Sequence, residues 1–273
     1  MASQGVPPQQ QARLEAIRRQ WEQRKRITQH MARIRRKVAV YSGKGGVGKT
    51  TVAINIAVVL AQRDYTVGLL DADIDCPNVV KALKPPVPPV YENDQFIPGE
   101  GWGVKVVSMG FFQEREEEAI IWRGPMIHNA ITQFLEGTDW GDLDFLVVDL
   151  PPGTSDAALT IMQTLPLDGF VVVATPQELA KLDAKRSINM IRKLHLRVLG
   201  VVENYTGDVF GLGAGEELAG ELGLPFLGSF ALRPDYRDTS KPAALLSPAV
   251  RQEYDAMVDR LLALVEAPVK GAG

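Results

Sequence analysis

Residues 43–50 carry the spacing of a phosphate-binding loop, in which a glycine and four further residues precede Gly-Lys-Thr. The pattern is filled by Gly43, Lys44, Gly45, Gly46, Val47, Gly48, Lys49 and Thr50. Glycines let the backbone curl so that successive N–H groups point at phosphate oxygens. Lys49 would then reach the outer phosphates, and the Thr50 hydroxyl would ligate Mg²⁺. The loop therefore predicts a site for a nucleoside triphosphate.

The residues on either side of this loop have the composition that such a site needs. Residues 38–41 form a short apolar run, which predicts a buried parallel strand. Residues 51–61 are apolar and long enough for a helix whose N-terminus would face the phosphates. This order of strand, loop and helix favours a nucleotide site over an ordinary glycine-rich turn.

Two acidic motifs follow later apolar runs. Asp71, Asp73 and Asp75 fall within five residues, and carboxylates so close repel each other unless a cation or hydrogen-bond donors offset them. Asp149 ends another apolar run, as the second acidic element of phosphate-loop proteins does at its Mg²⁺ site. Gly153, shortly after it, would let the backbone approach the terminal phosphate. Both motifs predict a site for Mg²⁺ and an attacking water beside the loop.

The elements that must position these residues alternate between strand and helix patterns. Alternation with nearly continuous apolar strands predicts an α/β fold, a mostly parallel, doubly wound sheet of the phosphate-loop NTPase type. Ligands of such sheets bind beyond the carboxyl ends of the strands, where the motifs should gather. Residues 84–102 contain five prolines and predict an extended excursion without helix. The predicted strands are 37–41, 66–71, 104–109, 145–150, 170–175, 197–203 and 225–230, and the predicted helices are 49–63, 124–136, 155–165, 177–194, 214–223 and 247–265.

Composition narrows the class of protein. The 273 residues carry a net charge of −3 and are 45% hydrophobic, as is usual for a globular domain. The single cysteine, Cys76, excludes an intrachain disulfide and fits a reducing compartment. We see no secretory signal and no stretch long enough to span a bilayer. We therefore expect a cytoplasmic protein, with residues 37–266 as the ATPase domain and 267–273 as a flexible tail.

Residues 1–36 form a basic arm before this domain. Residues 9–37 contain ten Lys or Arg and two Glu, a net of +8, so the remainder of the chain carries −11. Apolar residues in this arm fall near helical spacing, namely Leu14, Ile17, Trp21, Ile27, Met31 and Ile34. The pattern predicts an amphipathic helix. We favour a solvated helix packed on its own acidic domain over contact with a membrane or a nucleic acid.

The motifs resemble a particular branch of the phosphate-loop proteins. The run from Gly43 to Thr51, with Lys44 directly after the first glycine, is similar to the deviant loop of the MinD, ParA and nitrogenase iron protein class. Within that class the chain resembles the Mrp/ApbC group of iron–sulfur cluster carrier ATPases over roughly residues 37–265. The matching segments are 108–111 (Ser-Met-Gly-Phe), 121–126 (Ile-Trp-Arg-Gly-Pro-Met), 149–154 (Asp-Leu-Pro-Pro-Gly-Thr), 200–204 (Gly-Val-Val-Glu-Asn) and 225–228 (Pro-Phe-Leu-Gly).

The resemblance implies a role for each matching residue. The loop through Thr51 would bind ATP, and Lys44 would reach across a homodimer to ATP held at the interface. Asp73 would orient or activate the attacking water, and Asp149 would contact Mg²⁺ through water. Asn204 would recognise adenine. Hydrolysis would be slow and tied to assembly of the dimer, because Lys44 would supply its charge only there.

The chain departs from the group where a cluster would be held. Members usually carry Cys-x-x-Cys after the Val-Glu-Asn segment, so that two subunits offer four thiolates to one cluster. Residues 205–211 read Tyr-Thr-Gly-Asp-Val-Phe-Gly and contain no cysteine. A homodimer would offer only two Cys76 thiolates, and we expect Cys76 to be a small, partly buried side chain. The sequence therefore gives no support for an iron–sulfur cluster held by this chain alone.

Three functions remain open from the sequence. The first is an Mrp-type ATPase of iron–sulfur cluster assembly or transfer that works with an assembly or apo-client protein carrying the cysteines, or that holds a cluster by other means. The second is a MinD- or ParA-like positioning protein switched by nucleotide, whose basic arm docks to a membrane or to DNA. The third is a regulatory subunit whose ATP-bound dimer recruits another protein. The run at 122–126 favours the first, and the missing cysteines weigh against it.

Overall fold

The computed structural model describes residues 8–74, 76–93, 95–112 and 124–266. The helices in these ranges are α1 (Pro8–His30), α2 (Lys49–Ala61), α3 (Val79–Leu83), α4 (Gly124–Gly137), α5 (Asp156–Thr164), α6 (Glu178–Lys193), α7 (Ala214–Glu221), α8 (Ala243–Leu246) and α9 (Pro248–Glu266). The strands are β1 (Ile34–Ser42), β2 (Val67–Asp71), β3 (Val90–Glu92), β4 (Gln95–Ile97), β5 (Gly99–Gly101), β6 (Val104–Ser108), β7 (Leu143–Asp149), β8 (Gly169–Ala174), β9 (Val198–Thr206) and β10 (Phe226–Ala231).

Eight of these strands form one mostly parallel sheet, in the order β10-β9-β8-β1-β7-β2-β6-β5. Only β5 among these runs antiparallel, against β6. β1 lies near the centre, paired with β7 on one side and β8 on the other. The carboxyl ends of β1, β2, β7, β8 and β9 therefore meet at one edge, which we call the carboxyl edge. The predicted fold class is confirmed.

Helices cover both faces of the sheet, as nearly continuous apolar strands require. Along β1 the side chains alternate between faces. Val38 and Val40 belong to a core shared with α2 and α9, whereas Ala39 and Tyr41 belong to a core shared with α4, α5 and α6. From Lys37 to Ser42 the central strand is therefore buried on both sides.

Among the arm side chains that the structure describes, those that pack into the core lie at the C-terminal end of α1 and directly after it. Ile27, Met31 and Ile34 are buried in the core on the α4 side of the sheet. The helix ends at His30, and β1 begins at Ile34. Residues 34–36 are thus part of the sheet rather than of the arm, three residues before the expected start of the domain.

The proline-rich excursion forms short strands that the sequence did not predict. β3 and β4 pair with each other, and β5 extends the main sheet. Residues 1–7 of the arm, Asp75, residues 121–123 of the run at 121–126 and the expected tail at 267–273 lie outside the described residues. Among the described helices, none has the length and apolar character that crossing a bilayer requires.

Candidate functional site

The phosphate loop joins β1 to α2 at the carboxyl edge. Gly48 caps α2 with a left-handed backbone (φ 81°), and the loop reaches that turn because glycine lacks a Cβ. A Cβ on Gly48 would overlap the Asn204 amide, and a Cβ on Gly43 would overlap the Asp183 backbone. The Ser42 hydroxyl donates to the Lys44 carbonyl oxygen (2.9 Å). The loop is thus held in a curled form with the N-terminus of α2 behind it.

Lys49, Thr50 and Asp149 form a buried charge cluster behind the loop. Lys49 Nζ lies 2.6 Å from Asp149 Oδ1, and Thr50 Oγ1 donates to Asp149 Oδ2 (2.6 Å). Asp149 ends β7 beside β1 and is fully buried. Burial raises the pKa of the Asp149 carboxyl, and the ion pair with Lys49 and the Thr50 hydrogen bond oppose that rise. Such hydroxyl and carboxylate oxygens are the ligands that Mg²⁺ takes in proteins.

Asp73 belongs to the same cluster. Its Oδ2 lies 3.9 Å from Lys49 Nζ, and its Oδ1 accepts a hydrogen bond from the Cys76 backbone N–H (3.1 Å). Asp71, two residues earlier, ends β2 beside Asp149 and accepts from the Val79 N–H (3.0 Å) and the Ser108 hydroxyl (2.8 Å). Asp71 therefore fixes the turn that carries Asp73. Burial and the neighbouring Asp149 raise the pKa of Asp71 to about 7.

The loop after Asp149 is fastened to the phosphate loop. The Gly153 N–H donates to the Ser42 carbonyl oxygen (2.9 Å), and the Tyr41 hydroxyl donates to the Gly153 carbonyl oxygen. Gly153 has a positive φ of 70°, so its backbone turns beside Gly43. One backbone hydrogen bond and one hydrogen bond from a side chain therefore join this segment to the end of β1, directly before the phosphate loop.

A cavity of about 380 Å³ opens at the phosphate loop. Its lining comprises Ser42, Gly45, Gly46, Gly48, Lys49, Thr50, Asp73, Cys76, Asn78, Pro152 and Tyr205. Lys44 is half-buried in the same loop but is not among the lining residues. Cys76 is exposed rather than partly buried as expected, because it lies in the turn between β2 and α3, at the cavity wall.

A second cavity of about 340 Å³ adjoins this one. Tyr205 lines both cavities. The Asn204 amide donates to the Val47 carbonyl oxygen (2.9 Å), so the end of β9 supports the phosphate loop directly. The second cavity is lined by Thr51, Ile54, Asn55, Ala82, Asn204, Tyr205, Leu232, Tyr236, Asp238, Thr239, Lys241, Pro242 and Ala243.

The structure thus brings Lys49, Thr50, Asp73 and Asp149 together, as their motifs predict, and places Asn204 against the loop. Sequence reasoning missed Tyr205 and the segment 236–243. Tyr205 follows Asn204 directly, so its position just after the predicted strand 197–203 could have marked it as a candidate site residue. Segment 236–243 carries no motif, and only the position of β10 beside β9 brings it to the site.

Comparison with known proteins identifies the family. The model of the NUBPL iron-transfer P-loop NTPase family matches residues 33–263. The chain belongs to this family. An iron-sulfur cluster carrier protein of Methanocaldococcus jannaschii is 39% identical over 267 residues, which cover 90% of each protein. The resemblance to cluster-carrier ATPases is confirmed.

Two solved structures share the fold of this chain. A nucleotide-binding protein from Archaeoglobus fulgidus, solved in complex with ADP, is 32% identical, with a TM-score of 0.67 over 81% of this chain and 91% of that protein. The cell division ATPase MinD of Pyrococcus furiosus has the same TM-score of 0.67, over 84% of this chain and 99% of that protein. At 21% identity it shows a shared fold.

Proposed function

We propose that this chain is a Mg²⁺-dependent ATPase that serves iron–sulfur cluster transfer. One observation carries the ATPase proposal: Lys49, Thr50, Asp73 and Asp149 converge behind a curled glycine loop, beside two adjoining cavities. The cluster-transfer role is supported by family membership and by the carrier proteins that resemble the chain.

The two cavities suggest how ATP would lie. Its phosphates would occupy the loop cavity, where backbone N–H groups and Lys49 supply positive charge. Its base and ribose would occupy the second cavity, which offers apolar walls from Ile54 and Pro242 and polar groups from Asn55 and Asp238. We retain Asn204 as an adenine contact, although its amide nitrogen already supports the loop. Tyr205 would lie where the sugar passes between the cavities.

Each residue of the cluster would have a distinct task in hydrolysis. When bound, Mg²⁺ would neutralise charge on the outer phosphates, and Thr50 and Asp149 would hold it. Lys49 would leave its ion pair with Asp149 for the phosphates. Asp73 would accept a hydrogen bond from the attacking water and orient it.

We place Lys44 in a partner's site. It is outside the lining of its own loop cavity, so its charge is better placed to serve a second copy facing the same edge. In this proposal ATP is held between two copies, and hydrolysis is slow until they meet.

Calorimetry tests the nucleotide site. Titration of the chain with ATP, or with a non-hydrolysable analogue, should show binding that requires Mg²⁺. Phosphate release should then follow with ATP but not with the analogue. An absence of heat with both nucleotides, in the presence of Mg²⁺, would refute the ATPase proposal.

The cargo role needs ligands from elsewhere. Cys76 is the chain's only cysteine, so two copies offer two thiolates. We propose that an apo-client supplies the remaining ligands and that the cluster is cargo shared briefly between them. Anaerobic incubation with iron and sulfide should give cluster absorbance only when an apo-ferredoxin is added. Stable four-iron absorbance from the chain alone, unchanged in Cys76→Ser, would contradict this assignment.

A further inference from the structure

The N-terminal half of α1 presents an apolar stripe that the domain does not cover. Leu14, Ile17 and Trp21 are 60%, 53% and 64% exposed. Their spacing of three and four residues puts them on one face of the helix. Ile27, which is buried, lies roughly 120° around the helix from Trp21 and roughly 80° from Ile17 at 3.6 residues per turn. The exposed stripe is therefore a second apolar face, distinct from the one that docks α1.

Basic side chains border this stripe. Arg18 and Lys25 follow Leu14 and Trp21 by four residues, so each lies roughly 40° from the stripe. Lys25 Nζ lies over the Trp21 ring, 5.4 Å from its centroid, and Arg18 pairs with Glu22 within the helix. Residues 8–26 hold six Lys or Arg and two Glu, a net of +4.

The basic residues at the two ends of the arm have different surroundings. Arg26 and Arg33 pair with Glu136 and Asp142 of the domain, at the docked end of the arm. At the other end, exposed residues occur on several sides of the helix, including positions 10, 11, 14, 15, 17 and 18. The described side chains of the basic, apolar half are thus largely exposed rather than packed on the acidic body of the chain.

We propose that this half of α1 binds an anionic phospholipid surface, lying along it with the stripe inserted. A helix with Leu, Ile and Trp on one side and Lys and Arg beside them matches the boundary between acyl chains and anionic headgroups. A nucleic acid would engage the basic residues through phosphates but would leave the three apolar side chains in water. A flat lipid surface accepts both features and needs no complementary groove. This proposal is independent of ATP and of cluster transfer.

Vesicle sedimentation with the full chain tests the proposal. The chain should sediment with vesicles of phosphatidylcholine and phosphatidylglycerol and remain in solution with phosphatidylcholine alone. The triple variant Leu14→Gln/Ile17→Gln/Trp21→Gln should lose binding by about tenfold or more, since the inserted apolar area is gone. Its thermal unfolding should match wild type, because all three side chains are exposed.

A matched variant controls for loss of exposed apolar surface in general. Leu179, Val209 and Leu212 are 72%, 78% and 72% exposed on other elements, and their replacement by Gln should leave vesicle binding unchanged. Tryptophan emission should shift to the blue with anionic vesicles, and the shift should vanish in Trp21→Phe. Unchanged sedimentation of the α1 triple variant would overturn the proposal. So would retention on duplex DNA without vesicle binding, or binding that favours neither vesicle type.

Discussion

Among the residues of the proposed nucleotide site, Lys49 supplies the positive charge that offsets the carboxylates of Asp149 and Asp73. Its ammonium group is buried against Asp149 and near Asp73, so it is the cation that faces two carboxylates before ATP arrives. We predict that Lys49→Met lowers ATP affinity by about 100-fold or more, because the outer phosphates lose their fixed positive charge. Isothermal titration calorimetry with Mg²⁺–ATP measures the change. Wild-type affinity in this variant would remove Lys49 from the site.

The same substitution also leaves Asp149 buried without its cation, which destabilises the fold. The double variant Lys49→Met/Asp149→Asn removes both charges and serves as the control. Its unfolding midpoint in urea should recover most of the loss, while its ATP affinity should stay low. Recovery of both properties would mean that Lys49 acts through folding alone.

Lys44 should behave differently from Lys49. We predict that Lys44→Ala binds ATP within about twofold of wild type but hydrolyses it about tenfold more slowly, because a partner's γ-phosphate loses one cation. Phosphate release over a range of protein concentrations measures this, since a residue acting across a dimer matters only when copies meet. Equal turnover at every concentration would contradict a role across the interface.

The phosphate loop is an element whose shape depends on two glycines with positive φ. Gly46 (φ 79°) has open space where a Cβ would stand, whereas a Cβ on Gly48 (φ 81°) would meet Asn204 and Tyr205. We predict that Gly46→Ala lowers the free energy of unfolding by about 1–2 kcal/mol through backbone strain. Gly48→Ala should cost about 1 kcal/mol more, since the Asn204–Val47 hydrogen bond must also move. Urea unfolding without nucleotide compares them, and equal losses would contradict the role of Asn204 as a support.

The arm that contains α1 has two unlike halves, an exposed N-terminal half and a docked end from Ile27 to Ile34, and stability should follow that division. We predict that Met31→Ala lowers the free energy of unfolding by about 2–5 kcal/mol, because the side chain is fully buried in the core. Leu14→Ala should change it by less than about 0.5 kcal/mol, since its side chain is largely in water. Urea titrations of the two variants test this difference, and similar losses would mean that both halves pack on the domain.

Sequence patterns predicted those elements and site residues whose signal lies within a few neighbouring residues. The loop and Asp149 were found because spacing and a preceding apolar run are contained in a few residues. The strands β3–β5 have three residues each, and α3 has five, which is too short for periodicity to appear. Apolar spacing also predicted α1 but could not assign a partner to each face, because Ile27 and Leu14 look alike until the sheet is built. Segment 236–243 depends on strand order in the same way, whereas Tyr205 had a local signal in its place directly after Asn204.

At the scale of the whole molecule, one sheet edge gathers everything that nucleotide binding would use. The phosphate loop, the two acidic strand ends, the Gly153 segment and the end of β9 all meet there, and backbone hydrogen bonds join several of them. The basic end of α1 extends from the N-terminal side of the domain instead. The proposed ATP site and the proposed lipid-binding face can therefore be altered separately.

The last prediction concerns a dimer in which two copies face each other through their carboxyl edges. With Asp73→Asn, hydrolysis should stop while ATP still binds, because a neutral amide replaces the carboxylate that would accept from the attacking water, but Lys49 and Thr50 remain. We predict that light scattering then gives twice the chain mass with ATP and the single mass with ADP, since the γ-phosphate is what a partner's Lys44 would reach. Adding Lys44→Ala should weaken the doubling, because each interface loses two such contacts. A mass that stays single at every ATP concentration would exclude ATP-dependent pairing and leave Lys44 to act within its own chain.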